Sequence, residues 1–140
     1  MAGEAVQRTL REKKTALEQA ISRLSLLPAH DALCLLKNSI AMPKLLYTLR
    51  SSPCSGSSVL TEFDNVLRTG LSRLLNFNLI DAQRKQASLP VHKGSLGVRS
   101  ACMLAPSAFL ASATATLPLQ DAILALTNRL QLKTRPSQRL

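Results

Sequence analysis

Residues 4–27 read EAVQRTLREKKTALEQAISRLSLL, and they set the fold class. Val6, Leu10, Leu17, Ala20, Leu24 and Leu27 recur at alternating spacings of four and three, with Lys13 the one polar intruder. That period lays an apolar stripe along one side of an α-helix. Glu4 and Arg8, then Arg8 and Glu12, stand four residues apart on the outward face, where opposite charges support a helix. The stripe is predicted to pack on a neighbouring helix of the same chain or, through residues 6–27, to pair with a partner helix.

Outward from this stretch the punctuation predicts further helices. Pro28 closes the first and suits the opening turn of the next, which runs over 29–50 with Leu33, Leu36, Ile40 and Tyr47 on one face. Pro43 removes a backbone hydrogen bond there and clashes with the Ser39 carbonyl, so a kink or break is expected. Lys37 and Lys44 are seven apart and are expected to point the same way. Residues 51–58, SSPCSGSS, are a loop by composition. A third helix over 59–76 presents Val59, Phe63, Val66, Leu67, Leu71 and Leu74, with Asp64 and Arg68 paired on its surface. Asn76, Asn78 and Asp81 then supply turn chemistry.

Residues 87–101, ASLPVHKGSLGVRSA, form a turn-rich island. Leu89, Val91, Leu96 and Val98 flank Lys93-Gly94-Ser95, so a short β-hairpin or an irregular loop is expected at 87–99. Beyond it the chain reads as helix through the alanine-rich 107–115, and Pro118 is expected to open a last short helix with Ile123, Leu126 and Leu130. The architecture predicted is all-α, with about five helices, the first two an antiparallel pair packed on the third. By segment it comprises a helical hairpin 1–50, a loop 51–58, a third helix with its turn 59–86, a Gly/Pro linker 87–99, C-terminal helices 100–132 and a frayed basic tail 133–140.

The 140 residues suit one domain. Apolar residues make up 46% but aromatics only 3%, so the core is drawn from Leu, Ala, Ile and Val, a helix-favouring palette. A net charge of +10 points to an anionic partner, most simply nucleic acid. With so few aromatics to stack on bases, binding is expected to rest on phosphates. No apolar run reads as the ~20 residues of a membrane span, and no secretory h-region is evident. Glu4, Glu12 and Glu18 argue against a mitochondrial presequence. An intracellular, nuclear or cytoplasmic, location without membrane contact is expected.

Catalytic chemistry finds little here. The eight acids are scattered, with no DD or DxD pair to hold two metal ions. No GxSxG elbow, P-loop or GxGxxG occurs. His30 beside Asp31 reads as a solvent-facing helix start, and His92 beside Lys93 as a loop histidine. Cys34, Cys54 and Cys102 are odd in number and lack CxxC pairing, so free thiols are expected rather than a zinc site. No catalytic residue, metal or cofactor is assigned.

Three segments taken together carry a resemblance. They are His30-Asp31-Ala32-Leu33-Cys34-Leu35-Leu36, then Pro43-Lys44-Leu45-Leu46-Tyr47-Thr48-Leu49-Arg50 followed by Pro53-Cys54, then LPVHKGSLGVRSA running into Leu104-Ala105-Pro106-Ser107-Ala108-Phe109-Leu110-Ala111-Ser112. Their order resembles the region downstream of the polymerase palm in reverse transcriptase-like proteins of non-LTR retrotransposons, over most of residues 25–115. The resemblance implies a helical thumb that holds a primer–template duplex by its backbone, in a chain without the palm's YxDD-type aspartates. Lys37, Lys44, Arg50, Lys93 and Arg99 are the candidate phosphate contacts, and an RNA or DNA duplex the candidate partner. Two departures stand out. The family's Gly-Gly-Leu-Gly run is Gly94-Ser95-Leu96-Gly97 here, and Arg84 stands where the family places a Trp shortly before Ala87. Loss of that aromatic is expected to loosen packing around the island and fits a decayed copy. The alternatives are a small basic helical module for protein–protein contacts, and a reading frame with no functional product.

Overall fold

Leu10, Leu17, Ile21 and Leu24 bury the stripe of the first helix, α1 (Ala2–Leu24). Ile21 stands off the predicted ladder yet joins it, because a straight helix drifts from a strict seven-residue repeat. Leu27 falls beyond the helix end and is 44% exposed. The computed structural model describes residues 2–133, so the predicted tail from 134 onward, with Arg135 and Arg139, lies outside the described residues.

The main partner of α1 is α4 (Ser58–Leu75), and the two run parallel. Gln7 donates to the Ser57 hydroxyl at 2.9 Å, Lys14 Nζ meets Glu62 Oε2 at 2.7 Å, and Ile21 lies over Gly70. The pairing with Glu62 raises the Lys14 pKa and lowers that of Glu62. At Gly70 the helices touch: an added β-carbon would fall 2.3 Å from Ile21 Cδ1 and 2.8 Å from Cγ1. The stripe of α4 buries Val59, Phe63, Leu67, Leu71 and Leu74 as predicted, with Leu60 and Gly70 added, while Val66 is only partly buried. Asn76, left-handed at φ 51°, ends the helix.

Between them the chain breaks where the proline lies, two residues early. Helix α2 (Ala29–Leu35) widens into a π-helical turn (Leu36–Ile40), in which Ala41 N–H reaches the Leu36 carbonyl at 2.9 Å. Ala41 then bends at φ −74°, ψ −98°, and α3 (Met42–Ser51) starts afresh, running back along α1. Pro43 thus occupies a first turn, where its missing N–H costs nothing. The extra residue of the π turn shifts the register of everything after it. Leu45, Thr48 and Leu49 face inward, and Tyr47, expected on one face with Leu36, is 80% exposed while Leu36 is buried.

The C-terminal half departs further from expectation. Residues 81–86, read as turn, open α5 (Asp81–Ser88), a polar helix with Ala87 as its buried anchor. The Gln83 side chain accepts the Ile80 N–H at 3.1 Å and secures its start. The two expected C-terminal helices are one, α6 (Ala101–Lys133), running through Pro106 and Pro118. The carbonyl that Pro118 leaves without a donor, at exposed Thr114, is free to bind water. Helix α6 packs on α3 and α4 at its start, while every residue from Thr114 to Leu130 is exposed. Its Ala101–Leu130 stretch is long and apolar enough to cross a membrane, which corrects the expectation that no segment has that length. The described residues are all-helical, without a strand.

Asp64 joins these parts. Its carboxylate accepts Ser100 Oγ at 2.6 Å, Ala101 N–H at 2.7 Å and Cys102 N–H at 3.1 Å, so a side chain of α4 caps the N-terminus of α6. The surface pair expected between Asp64 and Arg68 does not form. Arg68 instead donates twice to the Leu79 carbonyl and meets Asp81 Oδ1 at 2.6 Å, holding the α4–α5 turn.

Two substitutions test this architecture. Gly70→Ala gains ~1 kcal/mol of helix propensity but drives a β-carbon into Ile21, so a net loss of about 1–2 kcal/mol in urea unfolding is expected. Ile21→Val, which removes the nearest atom, should recover much of that loss in the double variant. Asp64→Ala strands two backbone donors and a hydroxyl, and should cost about 2–3 kcal/mol. Asp64→Asn, which keeps one acceptor oxygen, should fall between; stability unchanged in Asp64→Ala would remove the cap from the account.

Candidate functional site

Helix α3 stands as a ridge with a cleft on either side. Pro43, Lys44, Tyr47 and Arg50 are exposed along its crest. On one flank lies a groove of about 290 Å³ against α1, lined by Thr9, Lys13, Lys44, Tyr47, Thr48 and Ser51 among others. On the other flank a cleft of about 340 Å³ lies between α3, the π turn and the end of the island. Its wall is apolar, with Met42, Leu46, Val98 and Leu104, and Lys37, Asn38 and Arg99 supply its polar groups. No acidic residue lines either space.

The predicted cations distribute around this ridge with one exception. Lys37 and Arg99, far apart in sequence, line one cleft; a β-carbon on Gly97 would sit 3.2 Å from Lys37 Nζ. Lys44 lines the opposite groove, because the π turn breaks the seven-residue register expected to align it with Lys37. Arg50 is exposed at the last turn of α3. Lys93, at the end of a 3-10 turn (Val91–Lys93), lines neither cleft. None of the five makes an ion pair among the described residues. Four of the eight acids are engaged elsewhere: Glu12 with Arg8, Glu62 with Lys14, Asp81 with Arg68, and Asp64 with the start of α6.

Sequence reading missed Lys13 and Tyr47. Lys13 was the intruder on the α1 stripe, and its half-buried position in the groove is the reason it interrupts that stripe. Tyr47 followed the apolar period of an unbroken helix, so only the π turn brings it outside. An exposed tyrosine flanked by lysines offers an aromatic face beside positive charge.

The island is a folded loop, not a hairpin. Gly97 N–H donates to the Leu89 carbonyl at 2.9 Å and Val98 N–H to the Ala87 carbonyl at 3.0 Å, drawing the island back onto α5. Gly94 and Gly97 take left-handed angles (φ 77° and 69°), which only glycine adopts at little cost. Ser95 does not, so a serine is accommodated there, and its hydroxyl donates to the Gln86 carbonyl. Half-buried Arg84 donates to the Val98 carbonyl at 2.8 Å and so ties α5 to the island. Burial lowers its pKa, Asp64 opposes that shift, and its Nη2 is buried with no partner. Arg84 thus contributes one hydrogen bond across this junction and leaves one buried donor unsatisfied.

The remaining chemistry is sparse. His30 and His92 are both exposed, and no group of three metal-ligating side chains occurs among the described residues. No protein-family model matches the chain, and no curated protein or solved structure matches it.

All three cysteines are free. Burial raises the Cys54 pKa; at Cys102 burial acts first and the nearby Asp64 adds to the rise. In the folded protein at pH 8, a thiol–disulfide reagent should therefore label exposed Cys34 first and buried Cys54 last. Equal rates for Cys34 and Cys54 under native conditions would contradict the burial of the Cys54 side chain.

Proposed function

We propose that this chain is the thumb-like helical region of a non-LTR retrotransposon reverse transcriptase, holding a nucleic-acid duplex by its phosphates and performing no catalysis of its own. The observation that carries this reading is the ridge of α3. Lys13, Lys37, Lys44, Arg50 and Arg99 surround it without an acid in either flanking space. Uncompensated cations spread over two clefts and a crest suit an extended anion better than a small one. The wall of the cleft that holds Lys37 and Arg99 is apolar, and lysine, which binds phosphate as a point charge, predominates among the cations, so the contact is with the backbone and insensitive to sequence. Tyr47 adds one stacking surface for an unpaired base at the end of a duplex. The resemblance of the island and its neighbouring segments supplies the parent family. A nuclear or cytoplasmic setting follows from this role.

The alternative of helix pairing through residues 6–27 has less support, since the stripe that would pair is buried against α4.

Salt dependence tests the proposal. Binding of a 16-base-pair RNA–DNA duplex, followed by fluorescence anisotropy, should weaken with a log–log salt slope of ~0.9 per phosphate neutralised. Lys37→Ala, Lys44→Ala and Arg99→Ala should each flatten that slope by roughly one unit. Tyr47→Ala should leave the slope alone and weaken single-strand binding about tenfold. No binding at low ionic strength would overturn the assignment.

A further inference from the structure

Helix α6 repeats its core-packing face where there is no core. Ala101, Ala105 and Ala108 are buried against the body of the protein. Leu119, Ile123 and Leu126 lie eighteen residues beyond each of them, which is five whole turns, and so point in the same directions. They are 62%, 54% and 59% exposed, and Leu130 extends the row. The face that seats α6 on its own protein thus continues with larger apolar side chains into solvent. Ala111, Ala115 and Ala122 flank it on one side and Thr116, Gln120 and Thr127 on the other, so a second helix can approach closely; Arg129, five turns beyond Ala111, places a charge at the edge of that alanine flank. Asp121 projects from the far side of the helix.

We propose that this face is a dimer interface, on which α6 of a second copy of the chain packs antiparallel. Three observations favour this occupant. The row 119, 123, 126, 130 is spaced four, three, four, which reads identically in both directions; an antiparallel copy therefore sets Leu119 against Leu130 and Ile123 against Leu126, the self-complementarity a two-fold interface requires. The chain carries a net charge of +10, and the folded body sits at one end of α6. Antiparallel packing places the two basic bodies at opposite ends, whereas parallel packing would press them together. Lastly, the interface continues a packing surface already in use. Four to five turns on each side approach the ~1,000 Å² at which specific association begins, so the dimer is weak and concentration-dependent.

The inference is independent of nucleic-acid binding and is tested without it. Sedimentation velocity of the full chain under reducing conditions, from about 1 to 200 µM, should show a monomer giving way to a dimer. Leu119→Gln/Ile123→Gln/Leu126→Gln should abolish the dimer. Leu110→Gln/Leu117→Gln/Leu124→Gln, an equal loss of apolar surface on another side of the helix, should retain it. All six residues are exposed, so both variants should keep the parent's helicity and melting behaviour. A monomer throughout the range, or equal loss in both variants, overturns the proposal. So does co-sedimentation of monomers with phosphatidylcholine vesicles that the first variant abolishes, which would assign the face to a bilayer.

Discussion

One carboxylate holds the two halves of this protein in register. Asp64 projects from the middle of α4, already fixed by its buried stripe, and takes up the first free N–H groups of α6 together with the Ser100 hydroxyl. A helix start has donors that its own turns cannot satisfy, and a negative charge there also complements the helix dipole. Here the acceptor comes from another helix, so satisfying the donors also fixes where α6 begins. Val98, just before that start, is fully buried and bonded through its backbone to both Ala87 and Arg84. Remove Asp64 and the island loses its anchor at one end. The cleft that brings Lys37 to Arg99 has its wall in that same island.

Other carboxylates are also engaged in holding helices, which bears on the charge balance of the surface. Four of the acids are used up in pinning helices to one another or to themselves. Five of the cations they leave unmatched, Lys13, Lys37, Lys44, Arg50 and Arg99, lie round α3, while others such as Arg23, Arg73 and Lys93 lie elsewhere. That arrangement suits an anionic polymer, where steering and binding both draw on uncompensated charge.

Periodicity made much of this fold legible. The α1 and α4 stripes, the break near Pro43 and the loop before α4 follow from apolar spacing and proline chemistry alone. What eluded the sequence has local physical causes. Helix α5 has almost no apolar period, since only Ala87 is buried, and it forms because Gln83 and Asp81 secure its start and the island folds over it. Tyr47 and Lys44 were misplaced because a π turn advances the register by one residue, and no residue pattern marks such a turn. Asp64 was assigned to Arg68 because spacing of four suggests that pair; three donors at a helix start outcompete one exposed guanidinium. The Pro118 break was expected from backbone chemistry, yet a proline on an exposed helix loses only a bond that water replaces.

The parallel packing of α1 on α4 has a consequence for synthesis. Neighbouring antiparallel helices can close as soon as the second is made, but α1 must wait for a partner whose last turn ends 51 residues after its own. At ~5–20 residues per second, that leaves its leucine stripe without its main partner for roughly 3–10 s on the ribosome. During that interval a chaperone, or the α1 of a neighbouring nascent chain, can reach a surface that the finished protein hides.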